Sequence, residues 1–211
     1  MAAIPWYFDV ISPFAYLQLE WLQRERPDLA LEPRPLVLGA VLSHHGQLGP
    51  AEISGKREFT YRYVIWRAHE LGVPIRFPPR HPFNPLAALR LIIAAGATTP
   101  VVLRVFRHIW AEGHGSESAA ELETLGRDLG IDDVAAAIGQ PDVKARLKGH
   151  TAAALADGIF GVPTLKVDGQ NFFGQDATTF ALAVLERPEL LREGEYARVA
   201  AIPIGVSRER S

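Results

Sequence analysis

The chain has 211 residues, 48% of them hydrophobic, with 22 basic and 24 acidic side chains giving a formal net charge of −2. This is the balance of an ordinary globular protein, and it offers no field for a polyanion, so nucleic acid is excluded as a partner class. There is no cysteine, which rules out disulfides, thiolate metal sites and a cysteine nucleophile and fits a reducing compartment. No apolar run reaches the length of a membrane span, and Asp9 interrupts the only apolar stretch near the start, so a cytoplasmic protein without a membrane partner is expected.

Residues 3 to 11 are rich in aromatic and β-branched side chains and bounded by turn chemistry, the pattern of a buried strand. Ser12 stands where a helix N-cap belongs, and Pro13 takes the first helical position, where its missing N–H costs nothing. A helix is predicted from Pro13 to about Arg26, because Phe14, Leu17, Trp21 and Leu22 keep helical spacing and Pro27 stops it. Residues 30 to 38, ALEPRPLVL, resemble a second strand that two prolines push to a sheet edge. From Gly39 to about Gly149 the pattern turns helical: Lys56 to Leu71, Pro85 to Ala95, Pro100 to Glu112 and Ser118 to Leu129, each followed by a glycine. The stripes Tyr61, Val64, Ile65, Ala68 and Leu86, Leu89, Ile92, Ile93 have the spacing of buried helix faces. Between them, His81-Pro82-Phe83-Asn84-Pro85 is a rigid loop, since each residue before a proline is held out of the helical region. A helix ending near Asp157 precedes Thr164 to Val167, the turn Asp168-Gly169 and Asn171 to Phe173, a strong hairpin signal. Thr178 to Leu185 closes the pattern as a short helix, and the tail from Arg187 has no assignable pattern.

The order strand, helix, strand, helical block, helix, hairpin, helix predicts an α/β fold in which two separated β portions share one sheet. Residues 1–38 and 150–190 would form that unit, 39–149 an inserted helical domain, and 191–211 a tail.

Three turns could carry chemistry. Ser12-Pro13 is locally a helix cap and nothing more. Val162-Pro163, within Gly161-Val162-Pro163-Thr164, reads locally as a trans proline opening an edge strand. A cis bond would instead turn the Val162 backbone outward to pair with an extended peptide-like ligand. Asp176, after Gly174-Gln175, is locally a helix cap, or else a carboxylate that binds an ammonium group.

Taken together and in order, the strand, Ser12-Pro13-Phe14-Ala15, the helical insertion, Gly161-Val162-Pro163-Thr164 and Phe173-Gly174-Gln175-Asp176 resemble a thioredoxin-fold family. Its members are the 2-hydroxychromene-2-carboxylate isomerases and kappa-class glutathione transferases, related to the DsbA oxidoreductases. The redox relatives carry Cys-x-x-Cys where this chain has Ser12-Pro13-Phe14-Ala15. The stretch LGAVLSHHGQLGPAEISGKREF, residues 38 to 59, is similar to the family's segment leading into the inserted domain.

The resemblance implies glutathione as cofactor, with Ser12 stabilising its thiolate, and with Gln47, Lys56, Val162, Pro163, Gln175 and Asp176 binding it. It implies addition of that thiolate to a conjugated small-molecule aromatic acid, return of the glutathione, and a homodimer. Ser43 falls where the isomerases carry a substrate-binding lysine, so His44, His45 and Asn84 become the candidates for contacting substrate. Trp66 and Trp110 are candidates to line a cleft holding an aromatic substrate. A conjugating or peroxide-reducing enzyme on the same site, and a catalytically silent binding module along the Val162-Pro163 edge, are the competing readings.

Other chemistries lack their signatures. Gly49 to Lys56 is one residue too long for a phosphate-cradling loop, and Arg57 stands where Ser or Thr should be. No G-x-S-x-G elbow exists. The seven histidines, including His108 and His114, show no metal-binding motif, and no metal is expected.

Overall fold

The computed structural model describes residues 3–206. Four strands, β1 (Ile4–Phe8), β2 (Leu31–Pro35), β3 (Thr164–Val167) and β4 (Gln170–Phe173), form one sheet in the order β2-β1-β3-β4. β1 runs parallel to β2 and antiparallel to β3, and β3 and β4 form the expected hairpin. Asp168 and Gly169 both have positive φ, 47° and 75°, as a two-residue turn matching the strand twist requires. β2 lies at the edge, where Pro33 and Pro35 break no central ladder. β3 is interior, so Pro163 precedes a central strand and not an edge strand.

Ten helices surround the sheet among the described residues: α1 (Pro13–Glu25), α2 (Leu38–His45), α3 (Lys56–Leu71), α4 (Leu86–Ala94), α5 (Thr99–Trp110), α6 (Ala119–Asp128), α7 (Val134–Gly139), α8 (Pro141–Ala156), α9 (Thr178–Glu186) and α10 (Gly194–Arg198). Between β2 and β3 the chain is helices joined by loops, the longest of them running from residue 73 to 85. α2 and α7 are additions to the pattern read from sequence: α2 carries a glycine and follows directly on β2, and α7 is too short for periodicity to show. The tail forms only short helical turns up to Ala201. No helix among the described residues is long and apolar enough to cross a membrane.

Alternation along β1 divides the core. Trp6 and Phe8 face the larger part, packing on Phe106 of α5 at ring separations of 6.2 and 5.7 Å, and this core continues through Val64, Leu89 and Leu122 of the helical segment. Burial of each such side chain stabilises the fold by about 1.5–3 kcal/mol. Tyr7 faces the smaller part, with Leu36, Val41 of α2, Ala154 of α8, Ile159 and Val162.

Two sequence expectations fail here. Trp110 lines no cleft: it is 0% exposed, and its indole N–H donates to the Val10 carbonyl at 2.8 Å. On α3 the buried face is narrower than the predicted stripe, with Val64 and Ala68 inside but Ile65 exposed. The outer side of α3 instead carries a ladder of partly exposed rings, Phe59, Tyr63 and Trp66, with Tyr63 6.1 Å from Phe59 and 5.7 Å from Trp66.

Candidate active site

Tyr7 lies opposite Thr164, and Thr164 lies opposite Phe173. The end of β1, the start of β3 and the end of β4 are therefore at one end of the sheet, and all three turns singled out in the sequence emerge there.

Ser12 caps α1. Its backbone is extended, Pro13 follows at the first helical position, and its Oγ accepts from the Ala15 N–H at 3.3 Å. That bond uses the oxygen as acceptor and leaves the Oγ–H to donate elsewhere. Ser12 is buried, at the positive end of a 13-residue helix.

Two groups missed in the sequence hold this turn. Asp9 is fully buried: Oδ1 accepts from Ile11 N–H at 3.1 Å, Oδ2 from Leu38 N–H at 2.8 Å, and its carbonyl accepts from Ser12 N–H at 3.0 Å. Burial outweighs these bonds and pushes its carboxyl up to about 7. Asp9 thus ties the Ser12 turn to the start of α2. His81 approaches from the rigid loop, whose His81-Pro82 bond is cis. Its Nε2–H donates to the Ile11 carbonyl at 2.9 Å, and its own carbonyl accepts from the Tyr61 O–H at 2.6 Å, with Nδ1 2.7 Å from the same hydroxyl. Burial lowers its pKa, which keeps the ring neutral.

Val162-Pro163 is cis. Its neighbours are engaged: Thr164 Oγ–H donates to the Gly161 carbonyl at 2.8 Å and Gly174 N–H to the Pro163 carbonyl at 2.8 Å. Among the described residues no hydrogen bond is made to the Val162 N–H or carbonyl. Gly174 turns at φ +102°, where a side chain would be strained and its Cβ would collide with the Asp176 carboxylate.

Gln18 of α1 fixes the third turn to the first. Wholly buried, its Oε1 accepts from Trp6 Nε1–H at 2.7 Å, and its Nε2 donates to the Gly174 carbonyl at 3.2 Å and to Thr178 Oγ at 2.9 Å. Gln175 is buried, and its Oε1 accepts from Arg67 Nε–H of α3 at 3.0 Å, which leaves its Nε2 as a donor. Asp176 is exposed, does not cap α9, whose N-cap is Ala177, and forms no ion pair among the described residues.

The remaining candidates stand apart to differing degrees. Lys56 is exposed at the start of α3, two turns or about 10 Å along the axis from Tyr63, whose ring is 6.0 Å from Phe14. Gln47 is exposed just after α2. His44 is exposed, whereas His45 Nε2 lies 3.2 Å from the Ile159 carbonyl, on the segment leading to Val162. Asn84 is engaged in starting α4: its Oδ1 accepts from Leu86 N–H at 3.1 Å, and its own N–H donates to Glu117 at 3.0 Å.

The family model for the DSBA-like thioredoxin domain matches residues 3–186, and the chain belongs to that family. Kappa-class glutathione transferase 2 of Caenorhabditis elegans is 26% identical over 195 residues, covering 82% of this chain and 87% of that protein. The 2-hydroxychromene-2-carboxylate isomerase of Sphingobium xenophagum is 28% identical over 188 residues, covering 84% and 94%. A solved structure of a 2-hydroxychromene-2-carboxylate isomerase has a TM-score of 0.76 at 23% identity, covering 89% of this chain and 96% of that one. The thioredoxin-like α/β fold expected from the ordered motifs is the fold observed, and these relatives bear the names of enzymes.

Proposed function

We propose that the protein is a glutathione-dependent isomerase acting on an acidic aromatic or conjugated small molecule, with Ser12 as the residue that stabilises the glutathione thiolate. The observation that carries this reading is a buried serine with an uncommitted Oγ–H at the N-terminus of α1, at the same end of the sheet as Val162 and Gln175.

The residues fit the tripeptide. An extended cysteinyl backbone needs one donor and one acceptor, which Val162 supplies from its uncommitted N–H and carbonyl. The γ-glutamyl end carries an ammonium and a carboxylate; Asp176 suits the first, and Gln175 Nε2 with the adjacent Arg67 guanidinium suits the second. Lys56, without an ion-pair partner among the described residues, is the cation available for a further carboxylate. When bound, glutathione supplies the nucleophile that this cysteine-free chain lacks.

Ser12 and α1 then favour negative charge at one point. A hydrogen bond to a charged group contributes about 2 kcal/mol and a helix N-terminus about 1 kcal/mol. Together these bring a thiol with an ordinary pKa of ~8.5 to about neutrality. Asp9 and His81 position Ser12 by holding the backbone of its turn, while Gln18 keeps the glutathione-binding turn in register with α1.

Relatives named as kappa-class transferases support a second reading, conjugation on the same site. The two part on whether glutathione is used up. With 2-hydroxychromene-2-carboxylate and related acids as substrates, an isomerase turns over while the free thiol concentration stays constant. Thiol loss in step with product would replace isomerisation by conjugation.

A further inference from the structure

We propose a site for a divalent transition-metal ion of the zinc type at the C-terminal end of α5, formed by His108, Glu112 and His114. None of these residues belongs to the glutathione site described above. Read linearly they make no familiar motif, but the chain folds back after α5, with the His114 N–H donating to the His108 carbonyl at 3.0 Å. One potential ligand atom from each of the three then lies within 4.8 Å of the others. Glu112 Oε2 is the common point, 3.6 Å from His108 Nδ1 and 3.6 Å from His114 Nε2. Ligands sharing a tetrahedral zinc ion stand about 3.3 Å apart. Glu112 Oε2 stands a few tenths of an ångström beyond that spacing from each imidazole, and His114 is 58% exposed.

Two further features favour a cation. The carboxylate is already oriented from behind: Arg104 donates to Glu112 Oε1 at 3.1 Å and is itself balanced by Asp128 at 3.1 Å, which leaves Oε2 to face the two imidazoles. The negative end of α5 also points at this loop. Two imidazoles and one carboxylate form a recognised zinc donor set with a fourth position open to water.

The test uses the full chain without a histidine tag. Isothermal titration with Zn²⁺, and Co²⁺ absorption spectroscopy, are applied to the wild type, to His114→Ala and Glu112→Gln, and to a His44→Ala/His45→Ala control. The expected result is one equivalent bound at micromolar or lower Kd, with a Co²⁺ ligand-field spectrum free of sulfur charge transfer. Affinity falls at least tenfold in H114A and E112Q and is unchanged in the control, while the metal-free unfolding temperatures of H114A and wild type agree. No saturable binding, or binding that survives H114A and E112Q or is lost in the His44/His45 control, would overturn the site.

Discussion

Arg67 shows what the sequence alone could not deliver. Nothing in its neighbourhood distinguishes it from the other exposed-looking charges of α3, yet its Nε–H bonds the buried Gln175 carboxamide at 3.0 Å across 108 residues of chain. If it helps to hold the γ-glutamyl carboxylate, Arg67→Ala weakens glutathione binding by about tenfold, read as Kd by calorimetry, equivalent to about 1.4 kcal/mol. An unchanged Kd would remove Arg67 from the site. By contrast, Ser12, Pro163 and Asp176 were legible because each occupies a position with local grammar: a cap, a residue before a strand, a turn leaving a hairpin. Asp9 was visible only as an interruption. A lone acid in an apolar strand gives no hint that one of its oxygens accepts from a neighbouring backbone N–H and the other from a backbone N–H 29 residues further along the chain, or that the latter is the start of an unforeseen helix.

At the scale of elements, local signals found most helices and both hairpin strands, since capping residues, glycine stops and the Asp-Gly turn act within a few residues of themselves. What they could not show is which face of an element is covered. Trp110 has the composition of a cleft residue, but α5 packs against the turn after β1 and places it in the core. Its indole N–H satisfies the Val10 carbonyl just before the Ser12 turn. Trp110→Phe keeps most of the ring volume and orphans that carbonyl, so chemical denaturation is expected to report a loss of about 1–3 kcal/mol. A variant as stable as the wild type would mean that the bond contributes nothing beyond packing. Ile65 has the opposite standing: the helical spacing put it on the covered face of α3, and it is exposed.

For the whole molecule, the buried acid beside the Ser12 turn links stability to pH. Asp9 has a carboxyl raised by burial from 3.8 to about 7, so between those values the folded chain holds a proton that the unfolded chain has released. Stability contributed by this group is full below about pH 4, falls as pH rises towards 7, and is level above it. Between about pH 5 and about pH 8 the fall is roughly 3 kcal/mol. His81, His108 and His150 tilt stability the other way below about pH 6.5, because burial lowers their pKa values and disfavours their charged forms in the fold. The Asp9 contribution is therefore read as the difference between the wild type and Asp9→Asn in urea unfolding at the two pH values. The wild type should lose about 3 kcal/mol more than the variant; parallel behaviour would show that Asp9 is ionised in the fold throughout. The same buried carboxyl joins stability to the site, since it fixes the turn on which Ser12 stands.

The most direct measurement is the ultraviolet thiolate absorbance of glutathione bound to the protein at neutral pH, compared between the wild type and Ser12→Ala. Saturable binding at millimolar glutathione or below, with a thiolate band in the wild type that is lost or shifted to higher pH in S12A, is the predicted result. No binding at millimolar concentration, or an equal thiolate band in both proteins, would contradict it.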